Sequence, residues 1–239
     1  MLTVYQGLIF LVRNFFTFLK QSILSLVTST SRPFSSLILT VGIADLNIQF
    51  CVIDLACIAS GKTSRSDIES VLEMSVEPYL QRLEGEFDII QRIQPVLSTP
   101  KSRQVKYRIQ DAFLSFWFRF IYRYRSAVEI GNLEFLQQVI QRDFATYSGE
   151  WLERLFQEQL AATGQYSVIG NYWGPRNKNE IDIVALNELD KTALVAEVKR
   201  NPKNIRLSKL KEKAVKLEQK LKGYDIEYRG LSLDDLSVE

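Results

Sequence analysis

The residues best suited to chemistry in this 239-residue chain are Asp182, Glu197 and Lys199: an aspartate, fourteen residues, then a glutamate and a lysine one residue apart. Two carboxylates can hold a hard divalent cation, and a lysine beside it can orient a water or help deprotonate it. The residue inventory narrows the choice. There is no histidine, and the two cysteines, Cys51 and Cys57, form no CxxC pair. His-containing zinc sites and Ser-His or Cys-His catalysis are therefore excluded, and a reducing, cytoplasmic compartment without structural disulfides is expected. What remains is carboxylates, lysine and magnesium or manganese. No haem or nucleotide is expected. Ser60-Gly61-Lys62-Thr63 ends like a P-loop, but Ala56 stands where that motif needs glycine, and the preceding segment has helical spacing.

The strands that would position these groups are Glu180–Leu186 and Ala193–Val198, joined through the turn Glu188-Leu189-Asp190-Lys191. A hairpin symmetric about Leu189-Asp190 sets Asp182 opposite Glu197 and Glu180 opposite Lys199. All four then share one face, while Ile181, Ile183 and Ala185 share the other with Leu194, Ala196 and Val198. Like charges facing each other across a ladder are unfavourable, where a good pair contributes roughly 0.2–1 kcal/mol. Asp182 and Glu197 thus call for a cation between them or a shared proton. The plainer alternative has equal weight: Glu180–Lys199 is an ordinary ion pair and the acids are solvated at a sheet edge.

Upstream, residues 1–44 contain no Asp or Glu, and Leu8–Val27 is apolar and aromatic, interrupted by Arg13 and Lys20. Three readings stand: a membrane span, a signal peptide without its basic start, or the remnant of a longer protein, the last being favoured. Thr28–Ser36 reads as a linker. From Ile48 the spacing predicts a helix stopped near Gly61, a second opened by a capping box at Ser64-Arg65-Ser66-Asp67, and a third beginning near Ser75 and Pro78. Ile68, Val71 and Leu72 face inward from the second, and Tyr79, Leu80 and Leu83 from the third. Strand-like runs at Phe87–Ile93 and Val105–Ile109 complete a winged helix-turn-helix over residues 46–110. Its candidate DNA contacts are Arg82 on the third helix and Lys101, Arg103 and Lys106 in the wing. The surrounding Glu69, Glu73, Glu77, Glu84 and Glu86 favour a protein-packing role equally.

Residues 111–145 read as an aromatic helical connector: a buried helix over Asp111–Arg125, then Asn132–Arg142. A break at Ser148-Gly149 precedes the helix Glu150–Ala162. Residues 146–239 then form an α/β or α+β unit, a mixed sheet flanked by helices, with strands at Tyr166–Trp173, the two already named, and Asp225–Arg229. The basic helix Arg206–Lys222, with Glu212 and Glu218 interleaved, reads as a solvated face, and Trp173 as a core or rim aromatic. The net charge of +2 gives no argument for nucleic acid.

The Asp182…Glu197-x-Lys199 pattern after an apolar strand resembles the PD-(D/E)XK nuclease superfamily, a restriction-endonuclease-like fold. That resemblance implies metal binding by Asp182 and Glu197 and assistance to the water by Lys199. It also implies an acid from the preceding helix, Glu153 rather than Glu150. Ile181 replaces the motif's proline. A second resemblance runs from about Val52 to the end, carried by Tyr107-Arg108-Ile109-Gln110-Asp111-Ala112-Phe113-Leu114-Ser115-Phe116-Trp117-Phe118-Arg119-Phe120 with the two acidic strands. It is to the uncharacterised C-terminal region of prokaryotic ATPases of the archaeal AAA/STAND type. This implies an ATPase or partner protein, with DNA as the other candidate partner. The chain then resembles a truncated or mis-started member. A catalytically inactive nuclease fold, serving as an interaction module of an ATPase, is the alternative function.

Overall fold

The computed structural model describes residues 46–99 and 102–236, which divide between Ile53 and Asp54 into two units. The apolar segment 1–45, with its membrane reading, and Lys101 lie outside the described residues. Among these, no helix is long and apolar enough to cross a membrane.

Helix α1 (Leu46–Ala59) crosses the boundary between the units and stops before Gly61, whose φ of +91° suits glycine alone. Within the second unit, α2 (Arg65–Leu72) opens with the Ser64 hydroxyl accepting the Asp67 amide, as the capping residues predict. Helix α3 (Glu77–Gly85) follows, with Pro78 in its first turn and Leu80 and Leu83 buried. Val71 departs from expectation: it is 51% exposed. The ribbon β1 (Ile90–Ile93) and β2 (Lys106–Ile109) pairs antiparallel.

The aromatic segment is helical but not uniformly so. A short α4 (Ala112–Phe116) widens and then tightens, through a π-turn at Trp117–Ile121 and a 3-10 turn at Tyr122–Tyr124, into α5 (Arg125–Glu129). Phe116, Phe118 and Phe120 are buried, whereas Phe113 is 53% exposed.

One expected break is absent. Helix α6 runs without interruption from Leu133 to Ala162, through Ser148 and Gly149. A glycine inside a helix costs only about 1 kcal/mol relative to alanine, which packing along a long element offsets. The Ser148 hydroxyl meanwhile donates back to the Phe144 carbonyl inside the helix.

The main sheet has the order β3 (Val168–Tyr172), β4 (Ile181–Asn187), β5 (Thr192–Val198), β6 (Asp225–Leu231). The first three strands form an antiparallel meander, and β6 joins β5 in parallel after the crossover helix α7 (Leu207–Glu218). The chain is thus α+β, with a mixed sheet flanked by helices. Helix α6 covers one face through Leu152 and Phe156, against Ile183, Ala185, Leu194, Ala196 and Val198. Helix α7 covers the other through Leu210, Ala214 and Leu217, against Val184, Leu186, Ala193 and Val195. Both faces are apolar, so the interior of the sheet leaves polar side chains only its ends.

Candidate active site

The β4–β5 register is the symmetric one: Ile183 pairs Ala196, and the ladder continues to Asn187 with Thr192. Asp182 and Glu197 come next in that register, at the end where the strands stop pairing. Here β4 carries a bulge. Gly170 pairs Val184 but Tyr172 pairs Ile181, so Asp182 and Ile183 together face Asn171. A bulge reverses side-chain alternation and re-aims what it carries. Ile181 accordingly joins the α7-side core with Val184 and Leu186, a correction to the expectation that it would lie with Ile183 and Ala185. Asn171 Nδ2 holds the bulge by donating to the Asp182 carbonyl at 2.7 Å, with Gln157 Nε2 of α6 on the same oxygen at 3.4 Å.

The Asp182 carboxylate accepts the backbone N–H of Val198 at 2.8 Å and the Lys199 ammonium at 3.1 Å. Lys199 Nζ also lies 3.6 Å from Glu197 Oε1. The two acids therefore converge on one cation and do not point to opposite sides of the sheet. Burying a carboxylate is costly unless it is paired. Glu197, whose side chain is 9% exposed, has three such partners: Lys199, Lys213 of α7 at 3.9 Å, and the Arg206 N–H at 3.0 Å.

Gly230 makes the last of these contacts possible. It is the β6 partner of Glu197, and a Cβ there would stand 2.4 Å from Ile205 Cγ2. Ile205 leans into this space, and the next residue, Arg206, presents its amide to the glutamate.

Burial works against the Lys199 charge, but the Asp182 carboxylate, by charge and hydrogen bond, and Glu197 hold its ammonium above the ordinary lysine value. Glu153, half-buried on α6, faces the same cluster. Burial, then the charges of Asp182, Glu150 and Glu180, push its carboxyl well above the ordinary carboxylate range, against the opposing pull of Lys199. Keeping the proton on Glu153 is the arrangement that adds least negative charge to the cluster. Glu150 lies on an exposed part of the helix. Among the described residues, no three acid or thiol side chains come close enough to form a metal cage. Two carboxylates converging on a cation nevertheless fit magnesium, which keeps several waters and takes its remaining ligands from substrate oxygens.

Glu180 corrects the expected cross-strand pairing. It lies before β4 begins and binds Lys106 at 2.8 Å, not Lys199. Lys106 also sits 4.5 Å over the ring of Trp173, which is buried as a core aromatic. Its side chain is 13% exposed, so this cation is spent on internal contacts. Arg82 binds Glu86 at 3.0 Å, and Arg103 is exposed. The loop between β1 and β2 is itself docked: the Val96 N–H donates to the Asn171 carbonyl at 2.9 Å, and Val96 belongs to the α7-side core.

Four supporting residues escaped the sequence pattern: Asn171, Gln157, Arg206 and Lys213. Gln157 had a signal, one helical turn from Glu153; the other three depend on chain crossings that spacing does not encode.

Residues 117–216 match the model of the DUF234 family, archaeal and bacterial proteins of unknown function, and the stretch contains Glu153, Asp182, Glu197, Lys199 and Lys213. The chain is also similar to an uncharacterised protein of Methanocaldococcus jannaschii, MJECL04. The two are 33% identical over 155 residues, covering 61% of this chain and 34% of the relative. The chain thus spans about a third of that relative's length. No solved structure matches.

Proposed function

We propose that residues 146–239 form a PD-(D/E)XK-type phosphodiesterase acting on DNA. The observation that carries this reading is the convergence of the Asp182 and Glu197 carboxylates on Lys199 Nζ, at 3.1 and 3.6 Å, beside a bulge. Asp182 and Glu197 would hold magnesium or manganese, which when bound supplies charge stabilisation to a phosphoryl group and acidifies water. The chain's own groups do the rest. Lys199 places a positive charge where phosphate charge develops, and its donor protons orient the attacking water. Glu153, kept protonated, can donate a hydrogen bond into the site. Asn171 and Gln157 fix the backbone that carries Asp182, and the Arg206 amide fixes Glu197.

In the same reading, α1 to α3 with the β1–β2 ribbon make a winged helix-turn-helix whose wing is docked against the nuclease sheet, leaving α3 and Arg103 for other partners. An ATPase domain is the partner proposed for it.

The test is cleavage of supercoiled and linear DNA in magnesium by the full chain and by Glu197→Gln, Asp182→Asn and Lys199→Gln, with folding checked by circular dichroism. Magnesium-dependent cutting that folded Glu197→Gln and Asp182→Asn lose supports the reading, while cutting that survives both overturns it.

A second reading is favoured by one observation, that no third acid closes a metal cage among the described residues. The site would then be a degenerate one, with Lys199 as a permanent internal counter-ion, in an interaction module of an ATPase. Folded wild-type protein that neither cuts DNA nor binds magnesium at millimolar concentration would establish it.

A further inference from the structure

We infer that one flank of α7 is a track for the phosphates of a DNA strand leading into the Asp182–Glu197 site, an inference that rests on the phosphodiesterase reading above. At 100° per residue, Lys209, Lys213 and Lys216 fall within an arc of about 60°, and Arg206 at the N-cap and Lys220 in the turn after the last residue flank the row. Lys213 is half-buried and the other four are exposed. The arc borders the buried stripe of Leu210, Ala214 and Leu217. Glu218 projects from the opposite flank, where it binds the Tyr228 hydroxyl, and Lys211 lies there over the Tyr228 ring. Glu212 falls outside the arc, toward the helix back. The interleaved acids that made this helix read as an ordinary solvated face therefore do not interrupt its cationic flank.

Two further observations tie the flank to the site. The helix touches Glu197 twice, through the amide of its N-cap Arg206 and through Lys213 Nζ in its second turn, so the row of charge runs past the carboxylates. Among the described residues, Lys209 and Lys216 make no ion pair that would neutralise them. From Leu207 to Glu218 the helix is about 17 Å long at 1.5 Å per residue, the axial length of about five phosphates of one strand in B-form DNA. With a net charge of only +2 on the chain, attraction for a polyanion has to be local, and this is where the geometry concentrates it.

The experiment is fluorescence anisotropy of a labelled 20-base-pair duplex titrated with the full chain in metal-free buffer across a salt series. It compares Lys209→Ala/Lys216→Ala with Lys191→Ala/Lys211→Ala, a pair of equal charge loss off the track. The first pair is expected to weaken binding about tenfold near 0.1 M salt and to reduce the slope of log affinity against log salt by about two, while the second leaves both nearly unchanged. Equal losses in the two pairs, no loss in the first, or competition by polyglutamate as effective as by DNA of equal charge would overturn the track. Track-dependent binding without magnesium-dependent cutting would leave the track standing and remove the nuclease reading. Cutting and binding both indifferent to Lys209 and Lys216 would do the reverse.

Discussion

The Asp182 carboxylate accepts a hydrogen bond from the Val198 backbone amide at 2.8 Å. A side chain of β4 thereby replaces the ladder partner that β5 would otherwise find there, at the point where the two strands part. The same oxygen also receives the Lys199 ammonium. Asp182 is thus both a structural acceptor and a candidate metal ligand.

That double duty predicts a split between stability and chemistry. Asp182→Ala strands a backbone donor and the Lys199 charge, and is expected to cost about 2–3 kcal/mol in urea denaturation. Asp182→Asn keeps an oxygen for the Val198 amide and is expected to cost about 1 kcal/mol or less, while losing magnesium binding as completely as Ala. Equal stability losses in the two variants would refute the split.

Asp54, fully buried on α1, has no hydrogen-bond partner for either carboxylate oxygen among the described residues. Burial pushes its pKa up to about 7. The folded state then binds a proton that the unfolded chain releases nearer pH 4, so this contribution to stability is complete below that pH and is lost as pH rises through 7. The denaturation midpoint should fall as pH rises from about 4 to about 7 and level off above that, and Asp54→Asn should flatten that fall. An unchanged pH profile in the variant would refute this assignment.

Gly230 carries a prediction about how the site is assembled. Gly230→Ala drives a methyl into Ile205, whose nearest atom would lie at 2.4 Å. A loss of about 1–3 kcal/mol is expected, as for overpacking elsewhere, with Ile205→Val restoring part of it. Because Ile205 precedes the Arg206 amide that binds Glu197, Gly230→Ala should also weaken magnesium binding. A stability loss with metal affinity unaltered would separate the two roles.

Gly149 sits inside α6, and a methyl added to it would meet nothing within 4 Å. Gly149→Ala is therefore expected to raise stability by about 0.5–1 kcal/mol, read as a higher melting temperature. A lower one would show that the helix needs its glycine.

Local pattern was sufficient wherever a residue's neighbours in sequence are its neighbours in space. The capping residues Ser64 and Asp67, the stop at Gly61, the two-stranded ribbon and the β4–β5 register all follow from spacing, turn chemistry and a period of two. The register sufficed to bring Asp182 and Glu197 to the same end of the sheet. It did not decide which way Asp182 points, because a bulge arises from how β3, pinned by Val96 and Asn171, packs against β4. The partner of Glu180 was likewise settled by Lys106, 74 residues away along the chain. Continuity of α6 through Gly149 is a product of packing. Alternation along a strand and capping at a helix end are short-range constraints written into adjacent residues, whereas the aim of a buried charge is set by whichever distant group can neutralise it.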